Sequence, residues 1–163
     1  MIILLNKKLV FICIYIIFSP FLFAQPFWKT SIHNTNHWNV FNQDTLPNEN
    51  WNQCIGENND WIGMYGGIGY GDNDDFSNID TTIAIYINRT FYIDDVNDIL
   101  SGLLHADYDD GFIAYINGYE IARSNNIDSS NVLNNIEQSI VSEHEAKIYQ
   151  NGLPEGFLIN DEI

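Results

Sequence analysis

The stretch Asp107-Tyr108-Asp109-Asp110-Gly111-Phe112-Ile113-Ala114-Tyr115-Ile116-Asn117-Gly118-Tyr119-Glu120-Ile121-Ala122-Arg123 decides the fold class. Asn117-Gly118 suits the positive φ angles that both central positions of a type I′ turn require. The β-rich runs Phe112 to Ile116 and Tyr119 to Arg123 flank it, so the segment predicts an antiparallel hairpin. Asp109-Asp110-Gly111 is the turn that feeds the hairpin from a preceding strand, Leu103 to Tyr108.

Upstream, Thr82 to Ile93 alternates at period two. Ile83, Ile85, Ile87, Phe91 and Ile93 fall on one side, Thr82, Ala84, Tyr86, Asn88, Thr90 and Tyr92 on the other, which predicts a long strand with its isoleucines inward. Arg89 is the misfit on the apolar side and marks either a bulge or a guanidinium that meets a buried carboxylate. Trp38 to Phe41 reads as a short strand, and Phe157-Leu158-Ile159 as the start of another. Ile136 to Lys147 fits either a short helix or a long excursion. Strands do not alternate with helices, so the expected class is all-β, an antiparallel β-sandwich.

The 163 residues carry 22 acidic side chains against 6 basic ones, a net charge of -16. Such a chain repels phosphate, which argues against nucleic acid and anionic lipid as partners. Lys7 and Lys8, the apolar run Leu9 to Phe18, the break at Ser19-Pro20 and the small Ala24 make residues 1–24 a secretory leader. Its unbroken apolar run falls short of the roughly 18 residues that span a bilayer, so no membrane attachment is expected after cleavage. Residues 25–163 then form one exported module, secreted or held at a bacterial cell surface. Cys13 leaves with the leader and Cys54 stands alone, so no internal disulfide is expected.

Catalytic motifs are missing. His144-Glu145 lacks the second histidine of a zinc-protease helix, since position 148 is Ile. His33 and His37 stand four apart, but the intervening Asn34-Thr35-Asn36 favours a loop. Gly66-Gly67-Ile68-Gly69-Tyr70-Gly71 lacks the ending of a phosphate loop and runs into acids, so it is read as a structural loop threading between aromatic side chains. Two acidic turns offer hard oxygens at alternating positions: Asp72, Asp74 and Asp75 in one, Asp107, Asp109 and Asp110 in the other. That chemistry suits a weak calcium site, and equally it suits carboxylates that cap turn N–H groups. Four tryptophans and nine tyrosines invite sugar stacking or core packing, and the sequence does not separate the two.

The run from Trp51 to Arg123 resembles a module of secreted bacterial surface proteins, often found ahead of CotH kinase-like domains. The blocks that carry the likeness are Asn50-Trp51, Trp61, Gly67 to Asp75, Ile85 to Phe91 and Asp107 to Asn125, extended by His144-Glu145-Ala146 and Pro154-Glu155. The resemblance implies a galactose-binding-domain-like jelly roll without catalytic residues. It also implies one more strand after position 159, so with Ile163 as the last residue a C-terminally truncated module is expected. Two functions follow as expectations. One is a non-catalytic module that binds a polysaccharide or cell-surface glycan, or that spaces a downstream domain. The other is the leading segment of a CotH-like kinase or phosphoesterase whose catalytic domain is absent here.

Overall fold

The computed structural model describes residues 26–43, 45–47, 50–53, 60–71, 75–128 and 140–159. Its contacts fall into two units, Met1–Thr30 and Ser31–Ile163, and the second carries all the strands. The leader and Cys54 lie outside the described residues.

The described residues form an all-β unit with several antiparallel pairings. Nine strands run in the order β1 His37–Phe41, β2 Ile62–Tyr65, β3 Ile68–Gly69, β4 Ser77–Asn78, β5 Tyr86–Asn88, β6 Gly102–Ala106, β7 Ile113–Ile116, β8 Tyr119–Arg123 and β9 Glu155–Ile159. They pair as β2-β1-β5, β3-β4, β6-β9 and β7-β8, and only β3 with β4 is parallel.

The hairpin stands where Asn117-Gly118 places it. Asn117 has φ 50° and Gly118 φ 87°, as a type I′ turn demands. Ile116 faces Tyr119, and the ladder then slips: Tyr115 faces Glu120 while Ala114 faces Ala122. Ile121 is the extra residue of that bulge. The slip lets Glu120 and Arg123 meet although they are three apart on a strand, with Arg123 Nε and Nη2 each donating to the carboxylate at 2.6 Å. This pairing lowers the Glu120 carboxyl and raises the Arg123 guanidinium.

The β6-β9 ribbon alternates as a half-buried strand pair should. Leu104 faces Phe157 and Ala106 faces Glu155 on the covered side, while Leu103 and Leu158 face each other toward solvent.

The Thr82 to Ile93 segment departs from expectation in two ways. Only Tyr86–Asn88 pairs, against Asn39 to Phe41 of β1. The Thr82 hydroxyl donates to the Ala84 carbonyl, a local bond that competes with a ladder. Around β5 the inward side is also reversed: Tyr86 is buried while Ile83 and Ile87 are exposed, whereas further on Phe91 is half-buried and Tyr92 exposed, as the alternation predicts. The reason lies across the sheet. Tyr86 sits directly opposite Phe41, and that aromatic face is covered by Trp51, 5.0 Å from Tyr86, and by Trp61, 5.5 Å from Phe41. Burying four large rings removes more apolar area from water than two isoleucines would. Arg89 Nε and Nη1 are buried without a hydrogen-bond partner, and the guanidinium lies 5.4 Å over the Trp38 ring.

Of the two readings for Ile136 to Lys147, the excursion holds over the described residues 140–147. Ile140 bridges to Ile127, and among the described residues that follow the helical turn is the 3₁₀ turn Ile148–Gln150.

Because Gly118 has positive φ and a Cβ there would lie 3.1 Å from the Gln53 side chain, Gly118→Val is expected to destabilise the chain by about 1–2 kcal/mol in urea unfolding. Asn117→Gly is expected to be nearly neutral, because glycine accepts the same dihedrals.

Candidate functional site

Residues 63–80 build an aromatic edge from glycine. A side chain at Gly66 would place its Cβ 1.6 Å from the Asn34 carbonyl, and one at Gly69 would fall 2.2 Å from the Asp75 carboxylate. Gly67 has φ 79° and lies against Phe76. The glycines therefore let the chain fold flat, with Ser77 N–H donating to the Gly67 carbonyl and Ile79 N–H to that of Gly69. This is the structural loop between aromatic side chains that the sequence predicts.

The result leaves rings in water. Tyr65 is 54% exposed, Phe76 77% and Tyr70 61%. Tyr65 stands edge-on between His37, at 5.3 Å, and Phe76, at 6.1 Å. On the side of β2 opposite Tyr65, that of Ile62 and Met64, β1, β2 and the chain after β4 enclose an open groove of about 290 Å³. Val40, Ile62, Met64 and Ile79 supply its apolar walls, and Asn42, Asn78 and Asp80 its polar groups. Asn42 donates through Nδ2 to the Asp80 carbonyl at 3.3 Å, which ties the two sides together. The volume lies at the small end for ligand sites, enough for one compact group. The tryptophans divide: Trp51 and Trp61 pack in the core, and Trp28 is exposed in the other unit.

The predicted acidic residues do not share one setting. Asp72 and Asp74 lie outside the described residues, and Asp75 lies against Gly69. Asp107 accepts from the backbone N–H groups of Lys147 at 2.7 Å and Ile148 at 3.1 Å, and Asp109 from that of Ala146 at 2.7 Å. Asp110 takes φ 57°, and its N–H donates to the His144 carbonyl at 2.8 Å. The carboxylates of Asp107 and Asp109 thus hold down the returning 146–148 backbone. Among the described residues no group of three or more His, Cys, Asp or Glu side chains is placed to hold a metal ion. His33 lies in a turn and His37 opens β1, so the two share no helix face.

A polar cluster beside that turn escapes sequence reasoning. Glu155 accepts from Tyr108 Oη at 2.9 Å, from His144 Nε2 at 3.2 Å and from the Lys147 ammonium. The His144 ring stacks on Tyr108 at 4.1 Å and 11°. Its Nδ1 faces the Tyr108 carbonyl at 2.9 Å. Lys147, then His144 and Tyr108, hold the Glu155 carboxyl down at about 2. Burial, then the Glu155 carboxylate, pushes the Tyr108 phenol up to about 12. The four residues span 47 positions, and only their assembly makes a cluster.

No family model, curated protein or solved structure matches the chain.

The two shifts set a pH window. A carboxyl whose folded value is depressed contributes stability above its unfolded value of about 4.3, lost as pH falls toward about 2. A phenol whose folded value is raised contributes below about 10, lost as pH climbs toward about 12. Urea midpoints across pH should therefore fall at both ends. Glu155→Gln is expected to flatten the acid limb and Tyr108→Phe the alkaline limb, each modestly, because Glu155 is partly exposed and screened.

Proposed function

We propose that this chain is an exported, non-catalytic carbohydrate-binding module of galactose-binding-like, jelly-roll architecture, with its ligand seat along the β2 seam. The exposed edge-on pair Tyr65 and Phe76 is the observation that carries this reading. A pyranose has an apolar face and a polar rim. Its face stacks on exposed rings such as Tyr65 and Phe76, and its hydroxyls stay at the polar surface around them. Charge narrows the class. A chain of net charge -16 repels uronate- and sulfate-bearing polymers, so the glycan is uncharged or carries amino groups. Secretion to a bacterial surface, where such polymers occur, is part of the same reading and rests on the leader composition.

Affinity electrophoresis or pull-down with neutral and amino-bearing polysaccharides tests it. Tyr65→Ala and Phe76→Ala are each expected to weaken binding at least ~10-fold with unchanged melting, because exposed rings contribute contact area without holding the core. If every polysaccharide fails to bind the parent chain, the binding reading falls and a spacer role takes its place.

Calcium is tested in the same preparation. Equal melting temperatures with calcium and with chelator are expected, since Asp107 and Asp109 already accept backbone N–H groups. A rise with calcium would assign the ion to the acidic turns.

A further inference from the structure

We propose that His37 is the specificity-determining residue of the glycan seat: its imidazole hydrogen-bonds a free sugar hydroxyl beside the exposed rings of Tyr65 and Phe76. This rests on the glycan reading above and supplies the polar half of the same seat. The argument starts from strand register. His37 stands directly opposite Tyr65 in the β1-β2 pair, so the two side chains leave the same face of the sheet. Their rings meet edge to face at 5.3 Å, and Tyr65 meets Phe76 at 6.1 Å. Imidazole, phenol and phenyl thus form one row, and all three residues are exposed.

Glycine sets where the imidazole stands. A side chain at Gly63 would place its Cβ 2.5 Å from both Cε1 and Nε2 of His37. The ring therefore occupies ground on β2 that any other residue would fill, and it rests against Gly63 and Tyr65 together. A side chain held on two sides keeps less rotamer freedom to lose when a ligand arrives.

The neighbouring amides are already engaged. Asn39, the next residue of β1 on that face, donates through Nδ2 to Asn88 Oδ1 at 3.0 Å, and Asn88 Nδ2 donates to the Trp51 carbonyl at 3.4 Å. Among the described residues, neither ring nitrogen of His37 has a hydrogen-bond partner. A neutral imidazole carries one N–H and one lone pair, and a sugar hydroxyl both donates and accepts, so either nitrogen can bind one. The Tyr65 ring supplies stacking area next to it, which places apolar and polar recognition side by side. If packing on Tyr65 were the whole role of His37, phenylalanine would serve there equally well.

Affinity electrophoresis of the full chain through gels holding a neutral β-glucan, galactan or mannan tests this, each polymer run native and O-methylated. The unaltered chain is expected to bind a native polymer about tenfold more tightly than its methylated form, the size of one lost hydrogen bond. His37→Phe keeps a ring against Tyr65 and removes both nitrogens, and it is expected to weaken binding to the native polymer about tenfold with unchanged melting. His37→Gln, which retains a donor and an acceptor, should bind more tightly than His37→Phe. Equal binding by the parent and His37→Phe, where Tyr65→Ala still weakens it, overturns the proposal and leaves the glycan reading standing. Binding of no polymer by the parent overturns both. Equal binding of native and methylated polymer by the parent also overturns the proposal, and that comparison needs no variant to fold.

Discussion

The contact on which the described fold most depends is the edge-to-face packing of Tyr86. Its ring meets Phe41 at 6.2 Å within one sheet and Trp51 at 5.0 Å outside it. Trp51 in turn meets Tyr115 of the hairpin at 6.0 Å, so one line of rings joins β1 and β5 to β7. Each such pair contributes about 0.5–1.5 kcal/mol beyond the area it buries. With Val40, Phe41 and Tyr86 the buried apolar residues among those described, few other contacts do this joining. The cost is visible at Ile83 and Ile87, which give up the interior to the aromatic row.

A second constraint is polar. Ser124 is fully buried, exchanges two hydrogen bonds with the Phe112 backbone, and closes the far end of the hairpin. Asn126, also buried, donates to the carbonyls of Asp110 and Ser142, tying the acidic turn to the returning chain. Buried donors are costly unless bonded, so these bonds help specify where the excursion lands, even though Asn126 Oδ1 itself finds no partner. Asp107 and Asp109 extend the same stitching to residues 146–148. Of the two roles the sequence offered these carboxylates, calcium or capping, Asp107 and Asp109 show backbone capping.

The seam that carries the functional proposal depends on the absence of side chains. Gly66 and Gly69 bring backbone against the Asn34 carbonyl and the Asp75 carboxylate at distances no Cβ permits. That flatness leaves Tyr65 and Phe76 standing out of the surface, and it leaves a groove where β1, β2 and the chain after β4 meet. Hydrophobic rings held in water cost stability that a ligand would recover.

What the sequence determined by itself was local. Asn117-Gly118 accepts positive φ, so the hairpin and its two strands were legible, as was the need for glycine between Gly63 and Gly71. Period-two alternation marked strand-like chain around Tyr86, and a strand was legible at Leu103 to Tyr108, where β6 spans Gly102–Ala106. Alternation says that two sides differ but not which side meets a partner, so the inward row at Tyr86 was decided by Phe41 and two distant tryptophans. Likewise nothing near Glu155 announces Tyr108, 47 positions away, or His144 and Lys147. Hydrogen bonds and ring contacts form between residues that topology brings together. Tertiary structure alone therefore chose the buried face, joined the cluster around Glu155, and left Tyr65 and Phe76 outside.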